Sequence, residues 1–167
     1  MDSRLDIIFS RRSIREYTGE PVRGEEVSSL LEAGMAAPSA SNRKPWHFVV
    51  VTERETLQAL AKRHPYGKMI ANAGVGIAVC GDPAISDCWV QDCTAATQNI
   101  LIAATALGLG GVWIGCHGRP EREQVVRDVL GIPKRVGVLS LLSIGHPGEE
   151  KEARTQFDPG RVHRNRW

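Results

Sequence analysis

Apolar positions first recur at helical spacing near the N-terminus. Leu5, Ile8 and Phe9 stand at i, i+3 and i+4 behind Asp2 and Ser3, two possible caps, and predict a short amphipathic helix leading into Arg11. Val27, Leu30, Leu31 and Met35 repeat the spacing between Gly24 and Pro38. Pro38 must end that helix, because a proline pushes its predecessor out of the α region. The stretch 46–51 (WHFVVV) is β-branched and aromatic and reads as a strand. Thr52 with Glu55 predicts a capping box that opens a helix through Leu57 and Leu60. The largely apolar stretches 75–80 (VGIAVC), 112–116 (VWIGC) and 136–144 (VGVLSLLSI) read as buried strands. Between the first two, a long helix over about 89–107 is so rich in Ala, Ile and Leu that it should be largely enclosed, its small residues allowing close approach of another helix or subunit. Pro120 at a first helical position, then Val125, Val126, Val129 and Leu130 with Gly131 as terminator, gives a further surface helix.

Composition narrows the class. The chain has 167 residues, 42% hydrophobic and 24% charged, and by area scaling it can bury about two thirds of its open-chain surface. We read one domain over 1–167, since neither repeats nor a linker divide it, with 146–167 as an extended tail. That tail carries Pro147, Gly148, Pro159 and the charge run EEKEAR; its Val162 and terminal Trp167 are more easily explained by docking on another subunit than by solvent exposure. A net charge of +2 argues against nucleic acid as a partner, and Arg161, Arg164 and Arg166 have no stacking platform beyond Trp167. Cys80, Cys88, Cys93 and Cys116 show no C-x-x-C spacing and read as reduced core thiols rather than metal ligands. The acidic N-terminus with its three-residue apolar run 7–9 is no secretory leader, which makes a cytoplasmic location the expectation. The longest apolar stretch, around 100–107, is too short to span a bilayer.

Two segments are candidates for chemistry. Arg11, Arg12, Ser13 and Arg15 place three guanidiniums and a hydroxyl within five positions, and guanidinium forks match phosphate and planar carbonyl acceptors; a solvated helix end would also suit them. The loop Ala37, Pro38, Ser39, Ala40, Ser41, Asn42, Arg43, Lys44, Pro45 and Trp46 brackets hydroxyl and amide side chains between two prolines, a shape for polar recognition or for an Asx-type turn. Gly108, Gly110 and Gly111 follow a helix and lack the third glycine of G-x-G-x-x-G, so they read as turn glycines. His117 beside Cys116 reads as a strand exit, His47 and His146 as packed or surface residues, and Asp92 as a structural partner within the long helix.

In this order, RRSIREY, APSASNRKPWHF, GLGGVWIG and IGHPGEEKEAR resemble the nitroreductase family of FMN-dependent oxidoreductases across essentially the whole chain. The V-H-x-x-x-W ending is similar to its short members. The resemblance implies an α+β sandwich, a central, mainly antiparallel sheet flanked by helices, in an intertwined homodimer joined through the long helix. It implies FMN at the dimer interface, with Arg11, Arg12, Ser13 and Arg15 contacting phosphate, ribityl and pyrimidine. Pro38, Ser39, Ala40, Ser41 and Asn42 would approach from the partner subunit, Ile114 and Gly115 would run past the ring, and Arg154 with Lys151 would close on the phosphate. Lys44 stands where the family commonly has glutamine, with Arg43 beside it, and 64–68 leaves little material for a lid, so the pocket should be open.

The activity so implied is electron transfer from NAD(P)H, NADPH included, to nitroaromatic, quinone or similar acceptors by a ping-pong mechanism. No side chain acts as a catalytic nucleophile: the chemistry occurs at flavin N5, and Arg15 stabilises charge at N1 and O2. A dehalogenase or enoate-type reductase, or a flavin storage or sensor module without turnover, are the alternatives the residues leave open.

Overall fold

The computed structural model describes residues 3–167; the expected Asp2 cap lies outside them. In chain order the elements are α1 (Asp6–Ser10), α2 (Gly24–Met35), β1 (Trp46–Val51), α3 (Arg54–Arg63), β2 (Val75–Gly81), α4 (Trp89–Ala106), β3 (Gly110–Gly115), α5 (Pro120–Leu130) and β4 (Gly137–Gly145). The four strands form one sheet in the order β1-β2-β4-β3, every neighbouring pair antiparallel.

Strand β2 is buried throughout and β4 nearly so, because helices cover both faces. Ile77 and Val79 face a core shared with Leu30 of α2 and Ile100 and Leu101 of α4, while Ala78 and Cys80 face one shared with Leu57 and Leu60 of α3 and Val126 of α5. The period of two is that of a pleated strand. Register shifts between Val79 and Cys80, where Val79 pairs with Ser140 and Cys80 with Val138. Leu139 is the extra residue of a bulge, which lets Ser140 as well as Leu139 face the α4 layer, where its hydroxyl lies 3.2 Å from that of Thr97. The resulting architecture is the α+β sandwich with a central antiparallel sheet that the motifs imply.

Two local expectations differ. Helix α3 begins at Arg54 with Glu53 as its N-cap and no side-chain cap, so Thr52 falls one residue too early and no Thr52–Glu55 box forms. Glu53 instead accepts from the Thr56 hydroxyl at 3.1 Å. A reciprocal arrangement opens α2, where the Glu26 carboxylate accepts from the Arg23 backbone N–H at 2.9 Å and its guanidinium at 2.8 Å. The apolar stripe of the first helix is not enclosed: Leu5 and Ile8 are exposed. The thiols of Cys80, Cys93 and Cys116 are buried, and burial pushes each up to about 12, as core thiols require. Among the described residues no helix is long and apolar enough to cross a membrane.

Candidate functional site

The chain after α1 runs along the outer edge of β3. Ser13 bridges Gly111 in parallel and the Ile14 N–H donates to the Gly111 carbonyl at 3.1 Å. Strand β3 can admit this segment because Gly110 has no side chain: a Cβ there would lie 2.6 Å from Ile14. The three glycines at 108–111 were expected only to turn the chain, and Gly108, at φ +74°, does so. Gly110 serves a different purpose, close approach.

The start of the tail then returns antiparallel to the arginine segment. The Arg154 N–H donates to Phe9 O at 3.1 Å, an Arg12 Nη1 donates to Glu152 O, Lys151 Nζ donates to Ser13 O at 2.7 Å, and the Arg15 N–H donates to Glu149 Oε1 at 2.6 Å. Residues some 140 positions apart in sequence are thereby paired, which sets the segment carrying Arg11, Arg12, Ser13 and Arg15 beside the one carrying Lys151 and Arg154. Their roles divide. Arg12 and Lys151 spend donors on the backbone, whereas the side chains of Arg11, Arg15 and Arg154 have no hydrogen bond or ion pair among the described residues. Tyr17 pins the same segment, its hydroxyl lying 2.8 Å from the carbonyls of both Ile14 and Ser143; burial raises its pKa to about 12, so the phenol stays neutral.

Glu149 is the hinge of this arrangement and was not singled out in the sequence. The backbone N–H of Arg15, then the Lys151 ammonium at 2.9 Å, hold its carboxyl below the usual carboxylate range. A lowered folded pKa stabilises the fold above the unfolded value of about 4.3, and that contribution disappears as pH falls through the folded value. Glu149→Gln should therefore flatten the acid limb of a stability-versus-pH curve, measured by denaturant unfolding; an unchanged limb would show that Glu149 does not fix the segment.

Arg15 lines a cleft of about 380 Å³ together with Ile114, Gly115, Tyr66, Lys68 and Arg122. Gly115 is exposed, and a Cβ added to it would meet nothing within 4 Å, so the strand end offers bare backbone to whatever occupies the cleft. The short run 64–68 forms one wall through Pro65, Tyr66 and Lys68. Tyr66, Lys68 and Arg122 carried no sequence signal beyond composition; only the fold brings them beside Arg15.

Pro38, Ser39, Ala40, Ser41 and Asn42 are not part of this cleft. They precede β1, which lies three strand spacings of about 4.8 Å from β3 across the sheet. The turn is nevertheless a built one. Ser41, Asn42 and Lys44 take φ values of 51°, 56° and 50°, left-handed conformations that cost a non-glycine residue roughly 1–2 kcal/mol each. The cost is borne by specific bonds: the Ala40 N–H donates to Asp92 Oδ1 at 2.9 Å, the Lys44 N–H to Ser39 Oγ at 3.0 Å and the Asn42 N–H to Ser39 O at 2.9 Å. Asp92, 5% exposed on α4, also accepts from the Ser86 hydroxyl at 3.0 Å. It is the structural partner expected, and the group it holds is the loop. Arg43 reaches Asp87 at 3.5 Å. His47 and His117 are exposed, with His117 edge-on to Trp89.

An antiparallel sheet between two helical layers, with unpaired guanidiniums and an open cleft at one edge, defines an α+β sandwich. The chain belongs to the nitroreductase family, whose model matches residues 8–64 and 58–146, and it is an oxidoreductase. It is 46% identical over 174 residues, with full coverage of both chains, to a protein of Archaeoglobus fulgidus that carries the provisional name NADH dehydrogenase/NAD(P)H nitroreductase. A crystal structure from Bacteroides thetaiotaomicron under the same provisional name superposes with a TM-score of 0.96 at 39% identity, covering 100% of this chain and 99% of that one. A provisionally named nitroreductase of Desulfovibrio desulfuricans, solved with FMN, superposes at 0.84 and 31% identity, covering 100% and 99%.

Proposed function

We propose that the protein is an FMN-dependent oxidoreductase that draws electrons from NAD(P)H and passes them to nitroaromatic, quinone or similar acceptors, acting as a homodimer. The observation that carries this reading is the cleft in which Arg15 and Lys68 stand beside Ile114 and the exposed Gly115 at the end of β3. The residues fit the cofactor: unspent guanidiniums on Arg11, Arg15 and Arg154 suit a phosphate and a pyrimidine edge, and the open space at Gly115 suits a flat ring. FMN, when bound, supplies hydride acceptance from a nicotinamide and onward transfer of the electrons.

The chain's own residues supply position and charge. Arg15 would hold the N1 and O2 edge of the ring, where a fixed guanidinium favours accumulating negative charge. Arg12, Lys151 and Glu149 fasten the tail to the arginine segment, and Arg154 comes with it. The turn Pro38 to Asn42 would complete the cleft of a second copy, which explains why a strained, exposed loop is so carefully held. Leu5, Ile8, Met35, Leu107, Phe157, Val162 and Trp167 are apolar and exposed in one protomer, surface that a second copy would cover.

The test is spectroscopic. The purified protein should show flavin absorbance that bleaches on adding NAD(P)H and returns with a quinone or nitroaromatic; flavin that no nicotinamide reduces would assign a storage or sensor role. Donor and acceptor using one cleft in turn should give parallel double-reciprocal plots, and intersecting lines would require two sites. Removing residues 158–167 should shift the mass in solution toward the monomer or release flavin; a truncated protein unchanged in both would deny the tail its docking role.

A further inference from the structure

We propose that Arg122, braced on Tyr66, makes the cleft selective for flat aromatic or quinoid acceptors that carry a carboxylate. This rests on the oxidoreductase reading and names the class of acceptor. Among the described residues the charged ones lining the cleft are Arg15, Lys68 and Arg122, with no acidic side chain beside them in the lining. Arg15 is placed against the flavin, which leaves Arg122 as the guanidinium of the cleft available to a second ligand. The Arg122 guanidinium carbon lies 4.4 Å from the centroid of the Tyr66 ring, and its side chain is only 23% exposed.

A guanidinium has five N–H donors in a rigid fork. Here Nε is buried with no hydrogen-bond partner, and Nη1 makes one long contact, 3.4 Å, to the Gly115 carbonyl. The nearest carboxylate, Glu121, lies 3.8 Å from Nε and is 65% exposed, where water screens it. A sheltered guanidinium with donors unmet costs free energy that a bound carboxylate returns, since charge-assisted forks are the strongest hydrogen bonds available to it.

The apolar half of the ligand is specified by the neighbours. Tyr66 is 61% exposed, an aromatic face turned neither into the core nor against another ring, and Met69, Val112 and Ile114 continue the lining. Its backbone is fixed by its N–H donating to His64 Nδ1 at 3.2 Å, and burial, with Arg122 nearby, keeps the His64 ring neutral. Arg122 also touches the carbonyl of Gly115, the strand end beside which electron transfer is placed. An anion held there belongs on the reacting ring itself. A benzoate carries its carboxylate in that place, whereas the phosphates of a nicotinamide dinucleotide lie several bonds from the reacting ring.

The experiment compares 4-nitrobenzoate with neutral 4-nitrobenzyl alcohol as acceptors of the holoenzyme, in the wild type, Arg122→Gln and Arg122→Lys. The wild type should favour the carboxylate in kcat/KM by about tenfold or more, the return on one charge-assisted pair. Arg122→Gln should bring the ratio close to one through KM, and Arg122→Lys should restore part of it, because an ammonium keeps the charge and loses the fork. Calorimetric binding of 4-nitrobenzoate without NAD(P)H should weaken by about the same tenfold in Arg122→Gln and should weaken with added salt. If Arg122→Gln does not fold, Arg122→Lys and the salt dependence decide. A ratio near one in the wild type, or a ratio that Arg122→Gln leaves unchanged, overturns the proposal. A loss in Arg122→Gln confined to NADPH relative to NADH also overturns it, by assigning the guanidinium to the donor's phosphate. Should neither acceptor be reduced while NAD(P)H still bleaches the flavin, the nitroaromatic part of the oxidoreductase reading fails, and calorimetry alone then decides whether the carboxylate site exists.

Discussion

Arg15→Ala should slow reduction of the bound flavin by NAD(P)H by about 10²-fold, the cost of removing one fixed donor from a site where negative charge develops. The flavin potential should fall with it. The side chain has no hydrogen bond or ion pair among the described residues, so its loss leaves no orphaned carboxylate. What positions Arg15 is its backbone, through the N–H to Glu149 and the Tyr17 hydroxyl behind Ile14, and both survive truncation. Stability should therefore stay within about 0.5 kcal/mol of the wild type, as for a surface substitution. Stopped-flow reduction and a redox titration check the two halves; an unchanged potential would remove Arg15 from the ring edge, and a collapse in stability would mean that its side chain holds the segment together.

The layers of the fold were legible because strands buried on both faces must be mostly apolar, as 75–80 is throughout and 136–144 is apart from Ser140 and Ser143, and because Pro38, Pro120 and Gly131 punctuate helices for local reasons. Helix entry was less legible at Thr52, where a box-like spacing lies one residue out of phase with the first turn of α3. The arginine half of the site was readable as a cluster, but not its registration with 149–154, a pairing set by tertiary contact with β3 rather than by any local spacing. Asp92 was visible as a lone acid in an apolar helix, while its partner, the Ala40 N–H, is a backbone group that no side-chain pattern reveals. Tyr66 and Lys68 lie on the 64–68 run and Arg122 on α5, and the cleft exists only once α5 packs beside that run.

Two glycines of β3 should separate stability from binding. Gly110→Ala places a methyl 2.6 Å from Ile14 Cγ2 and 2.7 Å from its Cβ, branched atoms next to a backbone already tied to Gly111, so neither side can yield without moving the segment. Overpacking of this kind costs about 1–3 kcal/mol. The strain falls on the chain that carries Arg11 to Arg15, so flavin affinity should drop along with the unfolding midpoint. Gly115→Ala is the counterpart: its methyl meets nothing within 4 Å, and its φ is not one that penalises a side chain, so stability should be unchanged within about 0.5 kcal/mol. That methyl would stand in the cleft, however, where the flat ring is placed. Gly115→Ala should weaken flavin binding in a fully stable protein, and Gly110→Ala should weaken both together. Equal flavin retention in Gly115→Ala and the wild type would move the ring away from the end of β3, whatever Gly110→Ala does to the fold.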